Sequence, residues 1–211
     1  MKRRAVLYFD FISPFAYLLF KQLHHLPADL EIEFKPVLFA GLLKHWEHKG
    51  PAEIPEKRKF TYRFIQWQAT QLGIPLQFPP AHPFNPVQVL RLAVALGSGH
   101  DTIQKIFDFI WGRGGDVTDS AALARLAQDL GIADIDALTQ NRSVKEQLIR
   151  NGEAAIAAGV FGVPTFVADG NLFWGSDSLG MLLAYLGDPG LLHSDEMRRI
   201  SDLPVGAERK P

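Results

Sequence analysis

The side chains best suited to chemistry in this sequence gather where helices are predicted to begin. Ser13 precedes Pro14, Asn85 precedes Pro86, and Ser176 with Asp177 precedes the apolar stretch 179–186. Serine, asparagine and aspartate favour the cap position because a side-chain oxygen accepts from the first free backbone N–H groups, and proline is pre-organised for the first helical residue. Those free N–H groups, at the positive end of the helix dipole, also suit a bound carboxylate. As residues alone, the three positions read equally well as simple caps. Tyr17 stands one helical turn beyond Ser13, where it either lines a pocket or packs in the core. Lys57 lies in the charged run Glu56-Lys-Arg-Lys59, which by itself reads as a solvated face. The seven histidines show no spacing that suits a metal, and His24-His25 or His45 with His48 read as surface pairs.

The chain contains no cysteine. It therefore builds no disulfide, no thiolate metal site and no CxxC redox centre, and any thiol chemistry must borrow its sulfur. With 22 basic and 23 acidic residues no overall field attracts nucleic acid or an anionic membrane. At 211 residues, 47% of them hydrophobic, the chain is long enough for one core without staples, so disorder and a disulfide-rich miniature fold are set aside. Met1 to Arg4 is basic, but only five apolar residues follow before Asp10, too few for a secretory signal. A cytoplasmic location is the expectation, with no membrane partner.

These residues need elements to hold them. Residues 5–12 read as a buried strand, the segment opening at Ser13-Pro14 as a helix, and residues 30–38 as a second strand, completing a β-α-β unit. Beyond Gly41 the pattern is helical for about a hundred residues, with helices predicted over 55–72, from Asn85-Pro86 through Leu96, near 101–112, near 119–130, and from a Ser143/Glu146 capping box to Ala158. Residues 165–168 and 172–174 flank Asp169-Gly170-Asn171 as a β-hairpin, and a last amphipathic helix spans 179–186. The sheet is thus split around an insertion: residues 1–45 and 159–188 form one unit, 46–158 an inserted helical domain, and the polar tail 189–211 an arm or a partly disordered segment.

Two segments carry a resemblance. Tyr8-Phe-Asp-Phe-Ile-Ser-Pro-Phe-Ala-Tyr17, and Val160-Phe-Gly-Val-Pro-Thr-Phe166 with Phe173-Trp-Gly-Ser-Asp177, are similar to 2-hydroxychromene-2-carboxylate isomerases and the kappa-class glutathione transferases, within the thioredoxin superfamily. Pro55-Glu-Lys-Arg58 and His82-Pro-Phe-Asn85 match family positions as well, and the similarity runs to about Gly187. It implies an α/β fold, thioredoxin-like with a large all-helical insertion, a homodimer, and glutathione as cofactor.

The resemblance also implies roles. Ser13 occupies the place of the redox members' nucleophilic cysteine; its hydroxyl cannot exchange disulfides but would donate to the sulfur of bound glutathione. Lowering a thiol pKa of about 8.5 by roughly two units takes about 2.7 kcal/mol, within reach of one charge-assisted hydrogen bond and a helix end. Val163 and a cis Pro164 would pair with the tripeptide backbone. Trp174, Gly175, Ser176 and Asp177 would receive its γ-glutamyl end, and Lys57 its glycine carboxylate or an acidic substrate. Tyr17, Leu42, Leu43, Lys44 and Asn85 would line the substrate pocket, with Leu42 to Lys44 in a loop after the second strand. The implied reaction is glutathione-dependent isomerisation of 2-hydroxychromene-2-carboxylate to trans-o-hydroxybenzylidenepyruvate, or of a related aromatic ring-cleavage product. Kappa-type transfer of glutathione to small halogenated aromatic substrates, ending as a stable conjugate, and a cysteine-less thioredoxin-like binding or chaperone module are the alternatives. The apolar stretch Phe107 to Trp111 is a candidate for the dimer interface or for internal core.

Overall fold

The computed structural model describes residues 3–207; Met1, Lys2 and the last four residues of the expected tail lie outside them. Strand β1 (Arg3–Phe9) turns through Phe11-Ile12-Ser13 into helix α1 (Pro14–Phe20), and β2 (Leu30–Pro36) returns parallel to β1. The chain then runs through α2 (Phe39–His45), α3 (Pro55–Leu72), α4 (Val87–Ala95), α5 (His100–Phe107), α6 (Ser120–Asp129), α7 (Ile135–Gln140) and α8 (Arg142–Ala157). It rejoins the sheet as the hairpin β3 (Thr165–Ala168) and β4 (Asn171–Trp174), followed by α9 (Leu179–Gly187) and α10 (Asp195–Ser201). The strand order is β2-β1-β3-β4, with β3 antiparallel to both β1 and β4. This is the thioredoxin-like sheet with helices inserted between β2 and β3.

The central strand β1 is covered on both faces, which explains its near-continuous apolar run. Leu7 and Phe9 enter the main core with α1, α4, α5 and α9, whereas Tyr8 packs on the opposite face with Val37, Leu42, Ala155, Val160 and Val163. α8 belongs to that second face: buried Asn151 donates to the Pro36 carbonyl at 3.0 Å. We propose that the inserted domain ends before α8, near residue 141, rather than at residue 158.

The structure corrects several sequence expectations. The Leu42–Lys44 segment is the body of α2, not a loop. Asn141, not Ser143, caps α8, because its Oδ1 accepts from both the amide and the hydroxyl of Ser143 at 2.9 Å; Glu146 instead receives the Arg142 guanidinium at 2.7 Å. Helix α7 was not anticipated; Asp134 caps it by accepting from the Ala137 amide. Ser176 and Asp177 cap nothing with their side chains, since a short tight turn, Ser176–Ser178, intervenes before α9. The tail is structured through α10, which Ser194 caps. Phe107, Phe109, Ile110 and Trp111 are buried in the core, so that stretch is no surface interface.

Candidate active site

Ser13 sits where β1 hands over to α1, and it is only 7% exposed. Its Oγ accepts from the Ala16 amide at 3.2 Å, the cap expected from the Ser-Pro pair. Among the described residues its proton reaches only the Val163 carbonyl, at 3.4 Å. That is long for an O–H···O bond, so the hydroxyl keeps a donor that a better acceptor would take.

Val163 is the residue that meets this hydroxyl, and the segments around it adjoin Val163 or α1. The Val163–Pro164 peptide bond is cis, and the Val163 amide makes no hydrogen bond among the described residues. Pro164 accepts from the Gly175 amide at 2.9 Å, tying the cis-proline segment to the end of β4. α1 packs beside the turn Ser176–Ser178. Gly175 has φ +88°, a conformation that disfavours any side chain, and a Cβ there would strike the Asp177 carboxylate. Asp177 is exposed and engages no hydrogen bond or ion pair among the described residues. Trp174 is 54% exposed and stands edge-on to Phe161, with ring centroids 5.0 Å apart. His48 reaches the Phe161 carbonyl at 3.3 Å and Trp46 donates to the Val160 carbonyl at 3.0 Å, so both residues rim the same segment.

The remaining predicted residues fall into two groups. Leu42 is buried and touches the Val163 cluster from behind, and Leu43 and Lys44 extend towards solvent on the same helix. Lys57 is exposed in the first turn of α3; its neighbour Glu56 is engaged by Lys59 at 2.7 Å, leaving Lys57 without an ion pair among the described residues. Tyr17 is packed in the core: it is fully buried and its hydroxyl donates to the Pro75 carbonyl at 2.6 Å. Burial pushes its phenol well above the usual range. Asn85 lies just before the cap residue of α4, Pro86, where its side chain accepts from the Val87 amide at 3.0 Å; it opens onto a groove with Gln88, Thr118 and Asp136 and makes no hydrogen bond to the Ser13 turn among the described residues.

The Ser13 turn is held by residues that the sequence did not flag. Asp10 is completely buried, and its carboxylate accepts from the amides of Ile12 at 3.0 Å and Phe39 at 2.9 Å. Desolvation outweighs those bonds and raises its pKa to about 7. The Asp10 carbonyl accepts from the Ser13 amide at 3.1 Å. From the insertion, Trp111 donates its indole N–H to the Phe11 carbonyl at 2.7 Å, and His82, in the loop between α3 and α4, reaches the Ile12 carbonyl at 2.9 Å. Trp111 lies in one wide helical turn, Asp108–Gly112, that continues α5 and aims the indole inward. A buried Asp three residues before a Ser-Pro start was the one available signal; the Trp and His contacts are products of packing.

Comparison with known proteins agrees with this architecture. A family model described as the DSBA-like thioredoxin domain matches residues 5–187. A 2-hydroxychromene-2-carboxylate isomerase of Sphingobium xenophagum is 30% identical over 199 residues, covering 89% of this chain and all of that protein. The glutathione S-transferase kappa 2 of Caenorhabditis elegans is 27% identical over 204 residues, covering 86% of this chain and 91% of that one. A solved 2-hydroxychromene-2-carboxylate isomerase superposes with a TM-score of 0.78 at 25% identity, covering 96% of this chain and 100% of that chain.

Proposed function

Because this chain belongs to the DSBA-like thioredoxin domain family, we propose that it is a glutathione-dependent isomerase acting on 2-hydroxychromene-2-carboxylate or a related aromatic ring-cleavage product. The observation that carries this reading is a buried serine hydroxyl with a spare donor, in the place where disulfide-exchanging relatives need a cysteine, in a chain that has none.

Glutathione, when bound, supplies a thiolate nucleophile that adds to an electrophilic carbon and departs after bond rotation, so that it is not consumed. The chain's own residues bind and orient. Ser13 presents its hydroxyl proton to the sulfur. The unpaired amide of Val163, held at the cis Pro164, offers a main-chain donor to the tripeptide backbone. Ser176 and the free Asp177 carboxylate receive the γ-glutamyl amino group, with Trp174 and Gly175 shaping that end. Lys57 offers an unpaired cation to the glycine carboxylate or to an acidic substrate. Leu43, Lys44 and Asn85 bear on the substrate, while Leu42 and Tyr17 support the site from within the core. The reducing cytoplasm, where glutathione is kept as the thiol, is the compartment that suits this chemistry, and aromatic catabolism is the setting.

The deciding experiment incubates the protein with reduced glutathione and 2-hydroxychromene-2-carboxylate and follows both thiol and product. Isomer formed with the thiol titre unchanged supports the reading. A stable thioether with thiol consumed points to transfer, as the kappa-class relatives' name indicates, and an absence of glutathione binding by calorimetry rejects both.

A homodimer is part of this proposal, and its support is the outer face of α3. Phe60 is 67% exposed and Trp67 56%, and both stack on Phe64 with ring centroids 5.8 Å apart. So large an aromatic strip is costly to leave in water. Light scattering should give twice the chain mass for the wild type, and Phe60→Glu with Trp67→Glu should give the chain mass alone.

A further inference from the structure

We propose that His82, seated between the Tyr62 hydroxyl and the Ile12 carbonyl, is a positioning residue that sets the orientation of the Ser13 turn. The inference rests on the glutathione reading above and adds to it a residue of the loop between α3 and α4.

The geometry is specific. Ile12 C=O and Ser13 N–H belong to one planar peptide unit. His82 Nε2 reaches the carbonyl end of that unit at 2.9 Å, and the Asp10 carbonyl accepts from its N–H end at 3.1 Å. The plane from which the Ser13 side chain departs is therefore pinned at both ends, one end by the sheet and the other by the insertion. A carbonyl can only accept, so Nε2 carries a proton. In a neutral ring Nδ1 then accepts, and the Tyr62 hydroxyl donates to it across 2.6 Å. The second bond fixes the tautomer that the first one needs.

The surroundings favour that state. The ring stands edge-on to Tyr62, Phe84 and Trp111, with centroids 5.3, 6.0 and 5.4 Å away. Burial holds the imidazole below its ordinary pKa, with Arg58 of α3, the charged group bearing on it, adding to the effect against the bond to Ile12; Tyr62, itself pushed up by burial, stays protonated. Protonating the ring would not release Ile12. Nδ1 would then donate to the Tyr62 oxygen, and the Tyr62 hydroxyl would turn to the His82 carbonyl 2.8 Å away. The hold on the peptide persists in both charge states, as a positioning device requires.

The test reads the pKa of the thiol of bound glutathione from ultraviolet thiolate absorbance against pH, alongside kcat and KM. His82→Leu should raise the bound thiol pKa by about one unit and lower kcat at pH 6 about eightfold, with glutathione KM changed less than about threefold. His82→Gln, which can place an amide donor near the Nε2 position, should return both values to within about twofold of wild type. Nitrogen NMR of the unliganded wild type should show the Nε2–H tautomer, and Tyr62→Phe should mix it with the Nδ1–H form. If His82→Leu leaves the bound thiol pKa and kcat at wild-type values, or if Gln fails as Leu does, the positioning role is overturned. If the wild type itself leaves the thiol pKa at its free value, the Ser13 reading fails, and this inference with it; the NMR result then reports only a structural tautomer.

Discussion

Ser13→Ala is expected to raise the pKa of bound glutathione's thiol by about one to two units and to lower kcat/KM at pH 7 by about three- to twenty-five-fold. The substitution removes one hydroxyl whose proton, in the free protein, has only the 3.4 Å contact to the Val163 carbonyl. Replacing that contact by a hydrogen bond to an anion is worth about 1.5–3 kcal/mol in favour of the thiolate. A free thiol near pKa 8.5 is only a few per cent ionised at pH 7, so the loss appears directly as a smaller nucleophile population. The same change deletes the cap on the Ala16 amide, which costs about 1 kcal/mol of folding stability. Spectroscopic titration of the thiolate, done well below the melting temperature, separates the two effects. An alanine variant that ionises the bound thiol as readily as the wild type would remove Ser13 from the mechanism.

The second large effect concerns Asp10. Its folded-state pKa, raised to about 7 from 3.8, means that the folded chain holds a proton which the unfolded chain has already released. Between about pH 4 and pH 7 the unfolded state therefore binds fewer protons, and stability falls as the pH rises, by something on the order of 4 kcal/mol across that window. His82, held below its ordinary 6.5, acts with the opposite sign: the unfolded ring binds more protons there, so its contribution grows as the pH rises towards 6.5. Asp10→Asn isolates the carboxyl. The amide oxygen accepts from one of the two amides, Ile12 or Phe39, and the other is left facing an NH2 group, at a cost of about 1–3 kcal/mol at every pH. The difference in unfolding free energy between wild type and Asp10→Asn, measured by urea titration from pH 4 to 8, should change steadily across the window in favour of the variant. A difference independent of pH would show that Asp10 is ionised throughout.

Local signals carried much of the fold. Apolar continuity marked β1 as a buried strand, Ser13-Pro14 marked the start of α1, and the helical pattern after Pro55 marked α3 through Leu72. Asp169-Gly170 between apolar runs marked the β3–β4 turn. Signals failed where two readings share one residue pattern. Ser143 with Glu146 has the spacing of a capping box, yet Asn141 begins α8 two residues earlier and takes the Ser143 amide itself. Tyr17, at helical spacing from Ser13, suited pocket and core alike; the Pro75 carbonyl 58 residues along the chain settled it as core.

By itself, then, the sequence determined the strand-turn-helix that presents Ser13, the Val-Pro-Thr entry into the hairpin, and the dependence of any thiol chemistry on a borrowed sulfur. These are properties of neighbouring residues: caps, breakers, periodicity and the plain absence of cysteine. Only the tertiary structure decided what grips that turn. The Trp111 indole reaches the Phe11 carbonyl across 100 residues and the His82 ring the Ile12 carbonyl across 70. The free energy that selects these partners comes from burying the inserted helices against the sheet and then satisfying the polar groups trapped between them. No spacing along the chain encodes that choice, because it exists only once the two layers have met.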